Sequence, residues 1–237
     1  AGRENFSTAN ELDQDVLEIN NDYTWLRGRH TLTIGTHNEF FSFRNLFIRD
    51  NFGNYSFSSL ANFAAGVAQG FDYSFSRTSN PQQASTFAVR QLGFYAGDQW
   101  RARPNVTVTF GVRVDTPQFP DKPTDNPIAQ TGFNLTATPS PVQWAPRVGF
   151  NYDLRGDGKS QVRGGFGLFS GRTPYVWLSN QYGNTGIEFT RLSRSFNAAN
   201  TIPFVPDATA QPQVLSGGTF ATNEIDLVDP DYKFPSV

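Results

Sequence analysis

Six segments of this sequence alternate apolar and polar residues over lengths that are unusual for strands of soluble proteins. The clearest is VTVTFGVRVD, residues 106–115, in which even-numbered residues are apolar and odd-numbered ones are polar or glycine. Side chains of a strand point alternately to its two faces. A tilted strand crosses a membrane in about 9–11 residues, whereas soluble strands usually have about 5–6. The segments that alternate in this way are residues 15–26, 31–43, 87–100, 106–115, 147–154 and 161–169.

The connections between these segments alternate between short and long. Residues 27–29, 101–105 and 155–159 form tight turns, whereas the long connections cover residues 44–86, 116–143 and 172–237. Compact soluble domains rarely contain several loops longer than about 12–15 residues. Outer-membrane barrels have short periplasmic turns and long extracellular loops. The sequence therefore predicts an all-β fold, an antiparallel transmembrane β-barrel segment surrounded by lipid of the bacterial outer membrane.

The composition agrees with a barrel better than with a soluble core. Aromatic residues make up 15% of the chain and include 23 Phe, while hydrophobic residues reach only 38%. Aromatic residues form girdles at both membrane interfaces of a barrel. With the short turns on the periplasmic side, the residues expected near the periplasmic interface are Tyr23, Trp25, Trp100 and Tyr152. Those expected near the outer interface are Phe40, Phe41, Phe43, Trp144 and Phe169.

Several classes of function are excluded or disfavoured by the same counts. The net charge of −2 gives no indication of a nucleic-acid partner, which would favour a basic surface. The absence of cysteine excludes disulfides, thiolate metal sites and cysteine nucleophiles. With only two histidines, nucleophile–base pairs are scarce, so we expect neither an enzyme nor a cofactor.

Six strands are too few to close a membrane barrel, since the smallest single-chain barrels have about eight. An open sheet edge in lipid would leave backbone groups without hydrogen bonds. We therefore expect residues 1–237 to form part of a barrel domain, with further strands elsewhere in the protein, and not to transport a substrate alone.

Two neighbouring strands carry a resemblance to a known family. Residues 93–100 (GFYAGDQW) and 106–115 (VTVTFGVRVD) resemble the YxQDxW…LTLxxGLRYD hairpin of TonB-dependent receptor barrels. Further motifs are similar to the Oar-like subgroup: APRVGF at 145–150, GDGK at 156–159, RGGFG at 163–167 and GRTPYVWLSNQYGNTG at 171–186.

The resemblance implies a large barrel closed by an N-terminal plug and energised through the TonB system. The imported substrate would be a siderophore, an oligosaccharide or a peptide. The sequence departs from the family in showing no plug, no TonB-contact segment and no C-terminal aromatic residue, since it ends in Val237. Contact with TonB would therefore require an N-terminal region that this sequence lacks.

Polar residues on the faces opposite the apolar ones are expected to line the lumen. These candidates are His37, Glu39, Arg113, Asp115, Arg147 and Asp153. Ion pairing inside the barrel is the favoured interpretation for the Arg and Asp residues, with a role along a substrate path as the alternative. His37 and Glu39 supply at most two metal ligands, so a lumen-facing polar pair is favoured and no metal is expected.

The third long loop offers aromatic and hydrogen-bonding groups that suit sugars or peptides. They are Arg172, Tyr175, Trp177, Asn180 and Tyr182. Packing between loops is the favoured interpretation for the same residues. In the first long loop, Ser59 followed by Leu60, Phe63, Ala64 and Val67 predicts a short helix behind an N-cap residue.

The leading hypothesis is a segment of a receptor barrel that binds its substrate at the extracellular loops and imports it through the lumen. A passive porin or an adhesin-like outer-membrane barrel is the alternative. A soluble β-sandwich that binds carbohydrate is disfavoured by the length of the alternating strands.

Overall fold

The computed structural model describes residues 4–129, 132–171, 173–195, 201–214 and 224–234. In chain order its strands are β1 (Asn10–Arg27), β2 (His30–Phe47), β3 (Asn54–Ser56), β4 (Val67–Ala68), β5 (Gly70–Ser76), β6 (Ser85–Arg103), β7 (Val106–Gln118), β8 (Gln143–Asp153), β9 (Gln161–Gly167), β10 (Phe189–Ser195) and β11 (Ile202–Pro203). The α-helices are α1 (Leu60–Ala64) and α2 (Ser179–Gly183), and a 3₁₀ helix spans Tyr175–Leu178. Neither α-helix is long and apolar enough to cross a membrane.

Six long strands form one antiparallel sheet in the order β1-β2-β6-β7-β8-β9. This confirms the predicted fold class, and β1, β2 and β6 extend to 18, 18 and 19 residues. The turn between β1 and β2 contains only two residues, because Arg27 pairs with His30 and Gly28 adopts a left-handed φ of 60°. Among the described residues β1 and β9 do not pair with each other, so the sheet is open.

The register gives the long sheet one apolar face. Ile34, Ala96, Val112 and Pro146 lie directly opposite one another across β2, β6, β7 and β8, and therefore point to the same side. Large apolar side chains on this side are exposed, with Ile34 at 63% and Phe166 at 81%. Such exposure across a whole sheet is expected for a surface that contacts lipid rather than water.

The Asp98 carboxylate interrupts the apolar face near the periplasmic turn. Asp98 lies opposite Leu32 and Phe110, and its side chain is 5% exposed. His30 Nδ1 lies 2.6 Å from an Asp98 carboxylate oxygen, and its ring stacks on Trp100 at a centroid distance of 5.9 Å. The His30 ring thus supplies this carboxylate with a hydrogen-bond partner close to the periplasmic turn.

The long loops fold over the inner face of the sheet at its outer end. Phe41, Phe43, Phe87 and Val89 of β2 and β6 pack with loop residues Phe119, Tyr175, Leu178, Tyr182 and Phe234. The placement of Phe41 and Phe43 in an aromatic girdle was therefore wrong. Both have odd numbers, like His37 and Glu39, and period-2 alternation turns them inward.

Parts of the long loops have secondary structure of their own. Within the first loop β5 pairs with β3, and it also pairs with β10 of the third loop, so that the two loops share one sheet. The predicted short helix is present as α1, and the Ser59 side chain accepts a hydrogen bond from the Asn62 N–H at 3.1 Å. The loops are therefore packed layers above the sheet.

The two faces predict losses of stability of different size when a charge is added to β7. Val112→Arg places a cation on the apolar face and should reduce the free energy of unfolding by about 2–4 kcal/mol. Thr109→Arg adds the same side chain to the polar face and should have a much smaller effect. Urea unfolding of the intact protein in lipid vesicles measures both, and equal losses would contradict the assignment of the faces.

The aromatic contact between sheet and loop predicts a second difference. The Phe87 ring stacks on Tyr182 at 4.5 Å and on Phe43 at 5.0 Å. Phe87→Ala should therefore reduce the free energy of unfolding by about 3–5 kcal/mol. It should also make residues 173–195 accessible to protease. Phe94→Ala, on the other face of the same strand, is the matched control. Mass spectrometry of limited digests locates the cuts, and an unchanged cleavage rate in Phe87→Ala would refute the docking of the loop.

Candidate functional site

A polar cleft of about 480 Å³ lies between the inner wall of the sheet and the start of the third long loop. Its walls include Glu18 of β1, His37 and Glu39 of β2, and Gln91 of β6. Arg113 and Asp115 of β7 and Arg147 of β8 complete the charged wall, while the loop contributes Ser170, Thr173 and Tyr175. The register explains the convergence, because inward-facing positions of neighbouring strands lie side by side.

Arg113 and Asp115 form the most buried ion pair of the cleft. Arg113 Nε and one terminal nitrogen donate to the two Asp115 carboxylate oxygens at 2.7 and 2.8 Å. The Asp115 side chain is only 3% exposed and also accepts from Ser170 Oγ at 3.3 Å. A two-pronged guanidinium–carboxylate contact is the strong form of such a pair, so it fixes both side chains against the wall.

Glycine at position 93 makes room for this pair. Gly93 lies between His37 and Asp115 in the register of β2, β6 and β7. A Cβ atom there would approach an Asp115 carboxylate oxygen to 2.8 Å and an Arg113 terminal nitrogen to 2.9 Å. Gly35, two residues before His37 on β2, also leaves room for a polar contact. Across it, the Tyr95 hydroxyl donates a hydrogen bond to the Asp22 carboxylate. The missing side chain of Gly93 on β6 thus leaves room for the ion pair of β7, and that of Gly35 lets Asp22 and Tyr95 meet across β2.

A second polar group surrounds His37. Its Nδ1 is hydrogen-bonded to the Asn20 side-chain oxygen, and the Asn20 amide donates to Glu18 Oε1 at 2.5 Å. The carboxylates lie on either side of the ring, with Glu18 Oε1 3.6 Å from Nδ1 and Glu39 Oε2 3.8 Å from Nε2. The structure therefore adds Glu18, from the neighbouring strand, to the predicted pair of His37 and Glu39.

Tyr175 closes the cleft from the loop side. Its ring packs against Phe41 at 5.4 Å and Phe119 at 5.9 Å, and its hydroxyl donates a hydrogen bond to Gln91. Burial raises the pKa of the Tyr175 phenol, and the nearby Glu39 and Asp115 carboxylates raise it further. The phenol is therefore a protonated donor under physiological conditions, and it fixes the loop to β6.

The predicted lumen residues fall into two groups. His37, Glu39, Arg113, Asp115 and Arg147 all line the cleft. Asp153 lies apart from them at the turn after β8, where its carboxylate accepts from the N–H groups of Arg155, Gly156 and Gly158. That carboxylate therefore shapes a turn rather than pairing with Arg147.

The predicted loop residues are not one binding surface. Tyr175 and Tyr182 are 4% and 8% exposed and belong to the aromatic packing beneath the loop. Trp177 is 70% exposed, and it lines a separate, mainly apolar pocket with Tyr232 and Phe234. Asn180 lines a third pocket beside Arg49 and Arg191. Arg172 lies outside the described residues.

Sequence reasoning had not selected four polar side chains of the cleft: Glu18, Gln91, Ser170 and Thr173. For Glu18 the signal was available, because it belongs to the polar face of β1 together with Asn20 and Asp22. Gln91 likewise has an inward-facing number on β6, opposite Glu39. Ser170 follows β9 in an irregular segment, where side chains do not alternate regularly between two faces, so the sequence does not predict which way its side chain points.

Replacement of Arg113 should lower the stability of the protein. Arg113→Gln leaves the Asp115 carboxylate buried without its cation, which should reduce the free energy of unfolding by about 3–5 kcal/mol. Arg44→Gln is the matched control, because the partners Glu11 and Asp13 are 59% and 71% exposed and such exposed pairs contribute about 0–1 kcal/mol. Denaturant unfolding of the intact protein measures both. Adding Asp115→Asn to Arg113→Gln should restore part of the loss, and a double variant no more stable than the single one would contradict this explanation.

Comparison with known proteins agrees with this architecture. The sequence matches the family described as outer membrane beta barrel domain over residues 1–237. No curated protein and no solved structure matches the chain. The match spans every strand of the long sheet, and it accounts for an apolar outer face around a polar inner wall. The chain belongs to the outer membrane β-barrel domain family and resides in the bacterial outer membrane.

Proposed function

We propose that this barrel region is part of a TonB-dependent receptor of the Oar-like type, which binds a substrate near the extracellular loops and imports it through the lumen. The observation that carries the proposal is the cleft under the third long loop. It joins charged groups of the inner wall, among them Glu39, Arg113 and Arg147, to the loop residues Ser170 and Tyr175.

The inward packing of the loops supports binding from the outside. Phe87 and Tyr182 stack at 4.5 Å, and Tyr175 reaches Gln91, so the third loop is held over the outer end of the lumen. A substrate arriving from the medium would meet this layer first and the charged cleft beneath it. Recognition would thus precede passage along the wall, which is the order that an active importer requires.

The chemistry of the cleft favours a polar substrate. Carboxylates and guanidinium groups lie on one wall, with the Tyr175 ring and Ser170 on the other side. Groups of both charges can orient a ligand that carries hydrogen-bond donors and acceptors, such as an oligosaccharide, a peptide or a siderophore. Energy for release would come from TonB through a plug domain, and outer-membrane lipid would surround the apolar face.

A passive porin is the second candidate, since a polar inner wall is also typical of water-filled channels. The two proposals differ in whether the lumen is open at rest. A receptor closed by a plug conducts no ions, whereas a porin conducts at once.

Planar-bilayer conductance of the intact protein, purified from its outer membrane, tests the choice. We expect almost no conductance at rest and the appearance of channels when urea unfolds the plug while the barrel remains. A known porin in the same bilayers is the positive control. Stable open channels without urea would overturn the receptor proposal in favour of the porin.

A further inference from the structure

We propose that Glu18, His37 and Glu39 form a binding site for a divalent transition-metal ion, with zinc as the probe, on the inner wall of the barrel. One ligand atom of each residue lies within 4.8 Å of those of the other two. The inference depends only on the barrel geometry, so it holds whether the protein is a receptor or a porin.

The register places two like charges directly opposite each other. Glu18 of β1 pairs with Glu39 of β2, so both carboxylates point to the inner side of the same cross-strand pair. Like charges at such positions destabilise a sheet unless something compensates them. A divalent cation between the two carboxylates would remove this repulsion.

The histidine is held in the form that a metal requires. Asn20 Oδ1 lies in hydrogen-bonding contact with His37 Nδ1, and an amide oxygen can only accept there. Nδ1 therefore carries a proton, and in the neutral ring the lone pair is on Nε2, on the side of Glu39 and 3.8 Å from Oε2. Histidine ligands of metal sites usually donate their other N–H to such an oxygen, which fixes the tautomer.

The distances suit an ion after small side-chain rotations. Ligand atoms around a tetrahedral zinc lie roughly 3.3–3.6 Å apart, given zinc–ligand bonds of about 2.0–2.2 Å. The measured 3.8 Å between His37 Nε2 and Glu39 Oε2 is close to this separation. Glu18 Oε1 lies 3.6 Å from Nδ1, so this carboxylate has to turn past the ring toward Nε2, and its 48% exposure leaves room for that rotation. Imidazole with carboxylates is a donor set for zinc and similar first-row ions.

The surroundings are compatible with a cation. Arg113, a guanidinium of the same cleft, is paired with Asp115 through the two-pronged contact. All three proposed ligands line the cleft of about 480 Å³, which leaves space for water or a substrate group at the fourth position. An ion there would be reached from the same cleft as a substrate.

Calorimetric titration of the intact, chelator-treated protein in detergent with Zn²⁺ tests the site. We expect saturable binding that His37→Gln and Glu39→Gln abolish. Asn20→Ala should weaken it about 10–100-fold, since it removes only the group that orients the histidine. The matched controls are His30→Gln, whose imidazole faces Asp98 on the apolar side, and Glu11→Gln on β1. Both should bind zinc like the wild type.

Heat-modified mobility on gels shows whether each variant still forms a barrel. If Glu39→Gln fails to fold, Glu18→Gln provides the same test and should weaken binding at least 10-fold, as removal of a ligand exceeds loss of its support. Absence of zinc binding by the folded wild type would overturn the proposal. Unchanged affinity in folded His37→Gln would overturn it as well. Conductance of the same preparation reports separately on the receptor proposal.

Discussion

Hydrocarbon offers no hydrogen bonds, so every backbone N–H and C=O at membrane depth must find its partner within the protein. In this chain the requirement is met by pairing each long strand with its neighbours, β1 with β2, then β6, β7, β8 and β9. Continuous pairing over a membrane span demands long strands, and long strands impose strict alternation of side chains. By the same constraint the edges β1 and β9 need partners in the membrane. The two-sided character of the sheet, and hence the polar lumen, follows from this pairing.

Once the inner face is isolated from lipid, it must accommodate its charges. Arg113 and Asp115 do so by a direct pair, and Gly93 provides the space for it. Glu18 and Glu39 are a different case, since they are like charges placed opposite each other with His37 beside them. Structural ion pairing explains the first group completely. In the second group one ligand atom each of Glu18, His37 and Glu39 lies within 4.8 Å of the other two, which is why we infer an ion there.

The loops add a second layer that the membrane does not require. Phe41, Phe43, Phe87 and Val89 could face an empty lumen only at a cost, because apolar surface in water is unfavourable. Covering them with Tyr175, Leu178 and Tyr182 removes that cost and brings the third loop down onto the cleft. Packing and recognition are therefore linked, since the contacts that bury these rings also place Tyr175 and Ser170 beside the charged wall.

The sequence by itself determined the faces of the strands, because alternation has a period of two and needs no information from elsewhere in the chain. It was enough to place His37, Glu39, Arg113 and Asp115 on one side and Val112 on the other. Only the tertiary structure decided which strand positions are neighbours, since register depends on turns and on packing across strands. That register brought Glu18 opposite Glu39 and left Gly93 beneath the ion pair. The burial of Tyr175 and Tyr182 likewise arises from contacts between distant segments, which no local pattern encodes.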